Sequence, residues 1–147
     1  MGLVYAEVEL INAEDLALAR KHYIGEEEIK RMWVTGLVDT GSYMLCINES
    51  IQAQMQFPVV EKRLGQMANG DRIECEVVSQ VELRFKNRRT ICNAMILPGD
   101  NEMLIGAIPL EDMDVLIHRN VGPPQRQELI VNPDHPYFPQ MKLKGIR

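Results

Sequence analysis

The chain has 147 residues, 46% of them apolar and 25% charged, a balance that suits one soluble globular domain with a substantial core. A net charge of −5 and a pI near 5.2 argue against a nucleic-acid backbone or an anionic membrane as partner, since both are held by basic surface. No apolar run approaches a membrane span, and the opening MGLVYAEVEL lacks the basic and continuous apolar regions of a signal peptide.

Residues 3–11 (LVYAEVELI) read as a strand, with Val4, Ala6, Val8 and Leu10 on one face. Asn12 caps a helix over residues 13–22, which carries Glu14 and Asp15 in its first turn, Arg20, Lys21 and His22 in its last, and Gly25 just beyond. Residues 28–38 (EIKRMWVTGLV) form a second strand that runs into Asp39, with Trp33 read as core or interface. Residues 43–47 are strand again, and Asn48 caps a helical turn in which Ile51 and Met55 share a face.

The clearest period-two signal is 71–85 (DRIECEVVSQVELRF), with Ile73, Cys75, Val77, Val81, Leu83 and Phe85 on one side. Straight, it would reach roughly 50 Å, wider than a small domain, so it must bend or project. Asn69-Gly70 is a two-residue hairpin signal, which makes residues 62–85 a long hairpin with its tip at Ala68-Asn69-Gly70-Asp71. The even-numbered Glu74, Glu76 and Glu82 sit on the other side of this strand, where they can bias a cleft. Asn87-Arg88 turns into a strand over residues 90–97, and the basic run Lys86–Arg89 (KNRR) reads as a solvated tip.

Pro98-Gly99-Asp100-Asn101 is a turn. A short apolar run, Met103-Leu104-Ile105-Gly106, leads to one helical turn with Pro109 at its first position. Residues 114–117 and 128–131 form a final strand pair joined by a loop at 121–127, and the proline-bearing tail from Asn132 is expected to be extended or loosely packed. The three cysteines, Cys46, Cys75 and Cys92, and the three histidines, His22, His118 and His135, show no pair at ligand spacing, so no metal and no cofactor is expected. Buried reduced thiols fit the cytoplasm.

One stretch stands apart. TGLVDTGSYMLCI, residues 35–47, sets a charged Asp39 into a tight turn between two apolar strands. By itself Asp-Thr-Gly is an ordinary polar turn. With a long hairpin after it, then strands, then Leu104-Ile105-Gly106 leading to a short helix, the arrangement resembles the retropepsin-like, single-lobe aspartic proteases over roughly residues 28–131. The resemblance implies an all-β closed acid-protease barrel with short helices and a flap hairpin, one domain over 1–131, and a tail at 132–147. It implies an aspartic endopeptidase of the prokaryotic cytoplasmic type, without cofactor, acting on a peptide or protein substrate.

Peptide hydrolysis of this kind needs two carboxylates sharing one proton, because like charges about 3 Å apart cannot both ionise. One Asp-Thr-Gly per chain therefore implies a two-fold homodimer with Asp39 from each copy at the axis. By resemblance Asp39, Thr40 and Gly41 form the catalytic loop, and Thr40 braces the two loops across the dimer. Gly41 suits a turn that needs positive φ or close backbone approach. Ser42 is read as a donor to Asp39 that favours the ionised form and pushes activity toward acid. Gly106 lets its segment pass close under the loop, and Ala68, Asn69 and Gly70 form the flap tip.

The sequence departs from the family pattern in a flap with only Gly65 and Gly70, and in Ala107 after the apolar-apolar-Gly segment. Residues 1–27 and the tail have no matched counterpart and are candidates for the dimer sheet. Two other functions stay open: a catalytically silent homodimer of the same fold that binds peptides or acts as a scaffold, and a monomeric small-ligand β-barrel.

Overall fold

A computed structural model describes residues 2–123, 125–141 and 143. Among these, the elements run β1 (Tyr5–Asn12), α1 (Ala13–Arg20), β2 (Arg31–Val38), β3 (Leu45–Asn48), α2 (Glu49–Met55), β4 (Val59–Gln66) and β5 (Arg72–Phe85). They continue with β6 (Arg88–Leu97), β7 (Leu104–Ile105), α3 (Ala107–Met113), β8 (Val115–Arg119) and β9 (Gln127–Val131). A 3₁₀ turn at Glu26–Glu28 occupies the start of the stretch expected to be strand from residue 28.

Six strands close on themselves in the order β1-β2-β7-β3-β6-β5, with β5 pairing back to β1. The mainly β closed barrel with short helices is thus present. Its interior is filled by apolar side chains: Ala6, Val8 and Leu10 from β1, Val78, Val81 and Leu83 from β5, and Leu45, Ile47 and Ile105 from the middle of the sheet. Each valine, leucine or isoleucine among them, fully buried, contributes roughly 1.5–3 kcal/mol.

The long β5 bends as its length requires. Its register with β6 shifts by one residue between Val78 and Val81, and Gln80 takes a left-handed φ of 61°. Beyond the bend, Val81–Arg84 close the barrel against β1. Before it, Arg72–Val78 pair with β4 and carry the hairpin off the barrel. Asn12 locks the base: its side chain caps α1 by accepting from the Asp15 N–H (3.1 Å) and donates to the Met55 carbonyl (3.0 Å).

Several local expectations change. The turn before β6 is Lys86-Asn87, one residue earlier than read, with Lys86 at a left-handed φ of 52°. Arg88, read as part of a solvated tip, is only 2% exposed. It donates to the His135 carbonyl and lies 3.9 Å from the Asp114 carboxylate, so the tail covers it. Trp33, read as core or interface, is 70% exposed on the outer face of β2, which rules out core. Pro109 is the third residue of α3, not the first, a position whose N–H has no helical partner in any case.

The tail is firmer than its prolines suggest, because Asp114 gathers it. The Asp114 carboxylate accepts from the Gln140 N–H (2.9 Å) and the Asn132 side chain (3.1 Å), and meets His135 Nδ1 at 2.6 Å. These contacts, Gln140 first, hold the Asp114 carboxyl down to about 2, against the opposing effect of burial. A carboxyl depressed in the fold stabilises it fully above its unfolded pKa, and that contribution is lost as pH falls through the folded value. We therefore expect the hydrogen-exchange protection factor at Gln140 to hold down to about pH 4 and to decay between there and about pH 2, since the group's ordinary value is 3.8 and its folded value about 2. Asp114→Asn should lower that protection already at neutral pH; equal protection in variant and wild type would refute the clasp.

Candidate active site

Asp39 leaves the end of β2 and is tied down by its backbone. Its N–H donates to the Ile105 carbonyl (3.0 Å) and its carbonyl accepts the Ser42 N–H (3.0 Å), which closes the turn. Its Oδ1 accepts the Gly41 N–H at 3.0 Å, and the residue as a whole is half-buried. Gly41 has no positive φ; what it offers is space, because a Cβ there would lie 3.3 Å from Asp39 Oδ1. Thr40 is exposed, and its hydroxyl makes no hydrogen bond among the described residues.

Gly106 lies directly beneath this loop. A Cβ on it would sit 2.7 Å from the Ser42 carbonyl oxygen and closer still to that of Met44. The close pass allows the Ala107 N–H to donate to Ser42 (2.8 Å) and the Ile108 N–H to Tyr43 (3.0 Å), so the start of α3 supports the loop from below. Ser42 is not aimed at Asp39. Its hydroxyl donates to the Met44 carbonyl (3.3 Å) and lies 3.8 Å from Cys46 Sγ, which overturns the expected donation to the carboxylate and the acid bias drawn from it.

The carboxylate faces a groove of about 800 Å³ between the loop and the β4–β5 hairpin. Its floor and walls include Tyr43, Met44, Cys46, Met95 and Leu104; its roof includes Arg63, Gly65, Met67, Ala68 and Ile73. The hairpin tip is a three-residue loop, not the two-residue one expected. The Met67 N–H donates to Asp71 (2.7 Å), the Gly70 N–H donates to Met67 (2.9 Å), and Gly70 alone of the tip is left-handed, at φ 91°. Of the three tip residues, Ala68 lines the groove, whereas Asn69 turns to Asp71 (2.9 and 3.1 Å).

A family model described as aspartyl protease matches residues 30–108. The chain belongs to the retropepsin-like aspartyl protease family. The match takes in the Asp39 loop, the hairpin and Gly106, the parts that build the groove. Comparison with curated proteins finds no match.

Sequence reasoning missed most of the groove's lining. Arg63, Met95 and Glu102 all face it, and the signal for Arg63 was available in the hairpin register. Odd positions of β5 point inward, so a three-residue tip places Arg63 opposite Cys75 and Gly65 opposite Ile73. Of the acidic residues on β5, Glu74 and Glu76 line a second cleft of about 470 Å³ with Glu49, while Glu82 is buried between Arg84 (2.6 Å) and Arg89 (3.4 Å). The thiols are poor nucleophiles. Burial pushes Cys46 and Cys75 up, with the Ser42 contact pulling Cys46 the other way, and burial with the Asp112 charge pushes Cys92 up to about 12. Among the described residues no group of three or more histidine, cysteine or carboxylate side chains is placed to hold a metal.

Because backbone oxygens, not flexible side chains, confront Gly106, Gly106→Ala must displace the loop or α3. We expect a loss of about 2 kcal/mol, seen as a thermal midpoint lower by roughly 4–8 °C. An unchanged midpoint would show that the close pass imposes no constraint.

Proposed function

We propose that the protein is an aspartic endopeptidase that works as a homodimer, with Asp39 of each copy forming one dyad. The observation that carries the reading is a half-buried Asp39 held by backbone hydrogen bonds at the floor of a groove roofed by a long hairpin, in a chain of this family. One carboxylate is insufficient for the chemistry. The ionised member of a dyad takes a proton from water as the oxygen attacks the peptide carbonyl, and the protonated member gives its proton to the carbonyl oxygen. Collapse of the tetrahedral intermediate returns a proton to the leaving nitrogen. The shared proton belongs to the pair, so the pH profile should report two apparent values for the dyad.

The hairpin serves as a flap in this reading. It closes over an extended peptide, excludes water and offers backbone partners, with Ala68 the tip residue that faces the groove. The exposed Thr40 hydroxyl is available to bond the other copy's loop. Apolar side chains at least partly open on β8, Leu116 and Ile117, offer surface for burial between copies. A cytoplasmic location is supported by three free cysteines; isolation of the protein from cells in a disulfide-linked form would contradict it.

The test is cleavage of a diverse peptide library between pH 4 and 7 by wild type and Asp39→Asn. We expect the variant to lose at least about a thousand-fold in rate. The rate per wild-type chain should also fall on dilution as the dimer dissociates. Cleavage that survives in Asp39→Asn would reject the mechanism. Peptides bound by both forms but cut by neither would point to a silent peptide-binding module.

A further inference from the structure

The groove over Asp39 is unevenly charged. Arg63 is the one cation among the described residues that line it, against the carboxylates of Asp39 and Glu102. Glu102 is already engaged, accepting from the Tyr5 hydroxyl at 2.8 Å. Arg63 stands on the hairpin face that looks down onto the groove floor, next to the Gly65–Ile73 pair. Gly65 lets that face sit low, since a Cβ there would come within 3.3 Å of Met95 Sδ.

The donors of Arg63 are divided. Nε and Nη2 reach the Glu61 carboxylate at 3.0 and 2.9 Å. Nη1 meets only Met44 Sδ at 3.6 Å, and a thioether is a weak acceptor. Arg63 makes no ion pair with Asp39 within 4.0 Å, and the side chain stays 46% exposed. One edge of the guanidinium is therefore fixed by Glu61, while the other is presented to the groove beside the loop that carries Asp39. Met44 Sδ is its contact there, and the cross-strand Cys75 and the groove-lining Met95 add sulfur and hydrocarbon to the same groove. Such a wall weakens competition from water once a chain fills the groove.

We propose that Arg63 is a specificity residue that binds a carboxylate side chain of the substrate. The substrate class is an extended peptide with an acidic residue near the scissile bond and a bulky apolar residue seated against Met44 and Met95. The inference rests on the endopeptidase reading and adds the substrate class to it. Glu61 orients the fork, and hairpin closure brings Nη1 onto the substrate carboxylate as a charge-assisted hydrogen bond.

The test uses matched peptides that differ only in Glu, Gln or Lys at each position flanking a central apolar pair. Their cleavage by wild type and their binding to Asp39→Asn are measured, each with and without Arg63→Gln, Arg63→Lys and Arg63→Glu. At one position we expect a preference for Glu over Gln of roughly five-fold, weakened by salt, lost in Arg63→Gln, partly kept in Arg63→Lys and reversed toward Lys in Arg63→Glu. Wild type that cleaves with no Glu preference, or keeps the preference in Arg63→Gln, overturns the role of Arg63 and leaves the protease standing. Arg63-dependent binding of Glu peptides without any cleavage supports Arg63 and overturns the protease. Neither binding nor cleavage of any peptide overturns both.

Discussion

Everything at the site depends on one close backbone crossing. The segment Ile105-Gly106-Ala107 passes beneath the Asp39 loop with no room for a side chain at its centre. Three backbone hydrogen bonds, from Asp39 to Ile105, from Ala107 to Ser42 and from Ile108 to Tyr43, stitch the two segments together. A carboxylate on a free turn would wander by ångströms. Here the turn is fastened on both sides to the barrel, because Ile105 is a strand residue between β2 and β3 and Ala107 begins α3. A shared-proton dyad demands that kind of fixed backbone, since its separation is set by main-chain position before any side chain adjusts.

The same crossing links the site to more distant parts. The helix that starts beneath the loop ends at Asp114, which collects Asn132, His135 and Gln140 from the tail and stands beside the buried Arg88. Burying a guanidinium is costly unless it is partnered, and the tail gives Arg88 the His135 carbonyl as an acceptor. On the other side of the groove the bend at Gln80 sends the hairpin away from the barrel and back over Asp39. The floor is thus rigid by closure of the barrel. The roof rests on a two-stranded arm joined to it at one end, the arrangement from which movable covers are made.

How much of this could be read from the chain varied with the range of the interactions. Caps at Asn12 and Asn48, the turn at residues 98–101 and the period-two run of β5 are local chemistry and stood out in the sequence. The Asp39 loop and Gly106 were found because polar turn residues and a glycine interrupt apolar runs at the spacing of a known pattern. Arg88 was misread because nothing near it in sequence shows that residues 132–140 return to cover it. The core alternative for Trp33 failed because an apolar ring in an apolar strand carries no sign of which face turns outward. The bend in β5 falls at Gln80, a residue without the glycine or proline that usually marks such a place. The Ser42 hydroxyl had several acceptors within reach, and only the fold decides that Met44 is the one it meets.

The central claim is that two Asp39 carboxylates make one site. Wild-type and Asp39→Asn chains, unfolded and refolded together in varied proportions at constant total concentration, test it most directly. If each site needs both carboxylates, activity should fall as the square of the wild-type fraction, to about a quarter when half the chains are wild type. A straight-line fall, to about half, would mean that each chain carries a complete site of its own and would contradict the account.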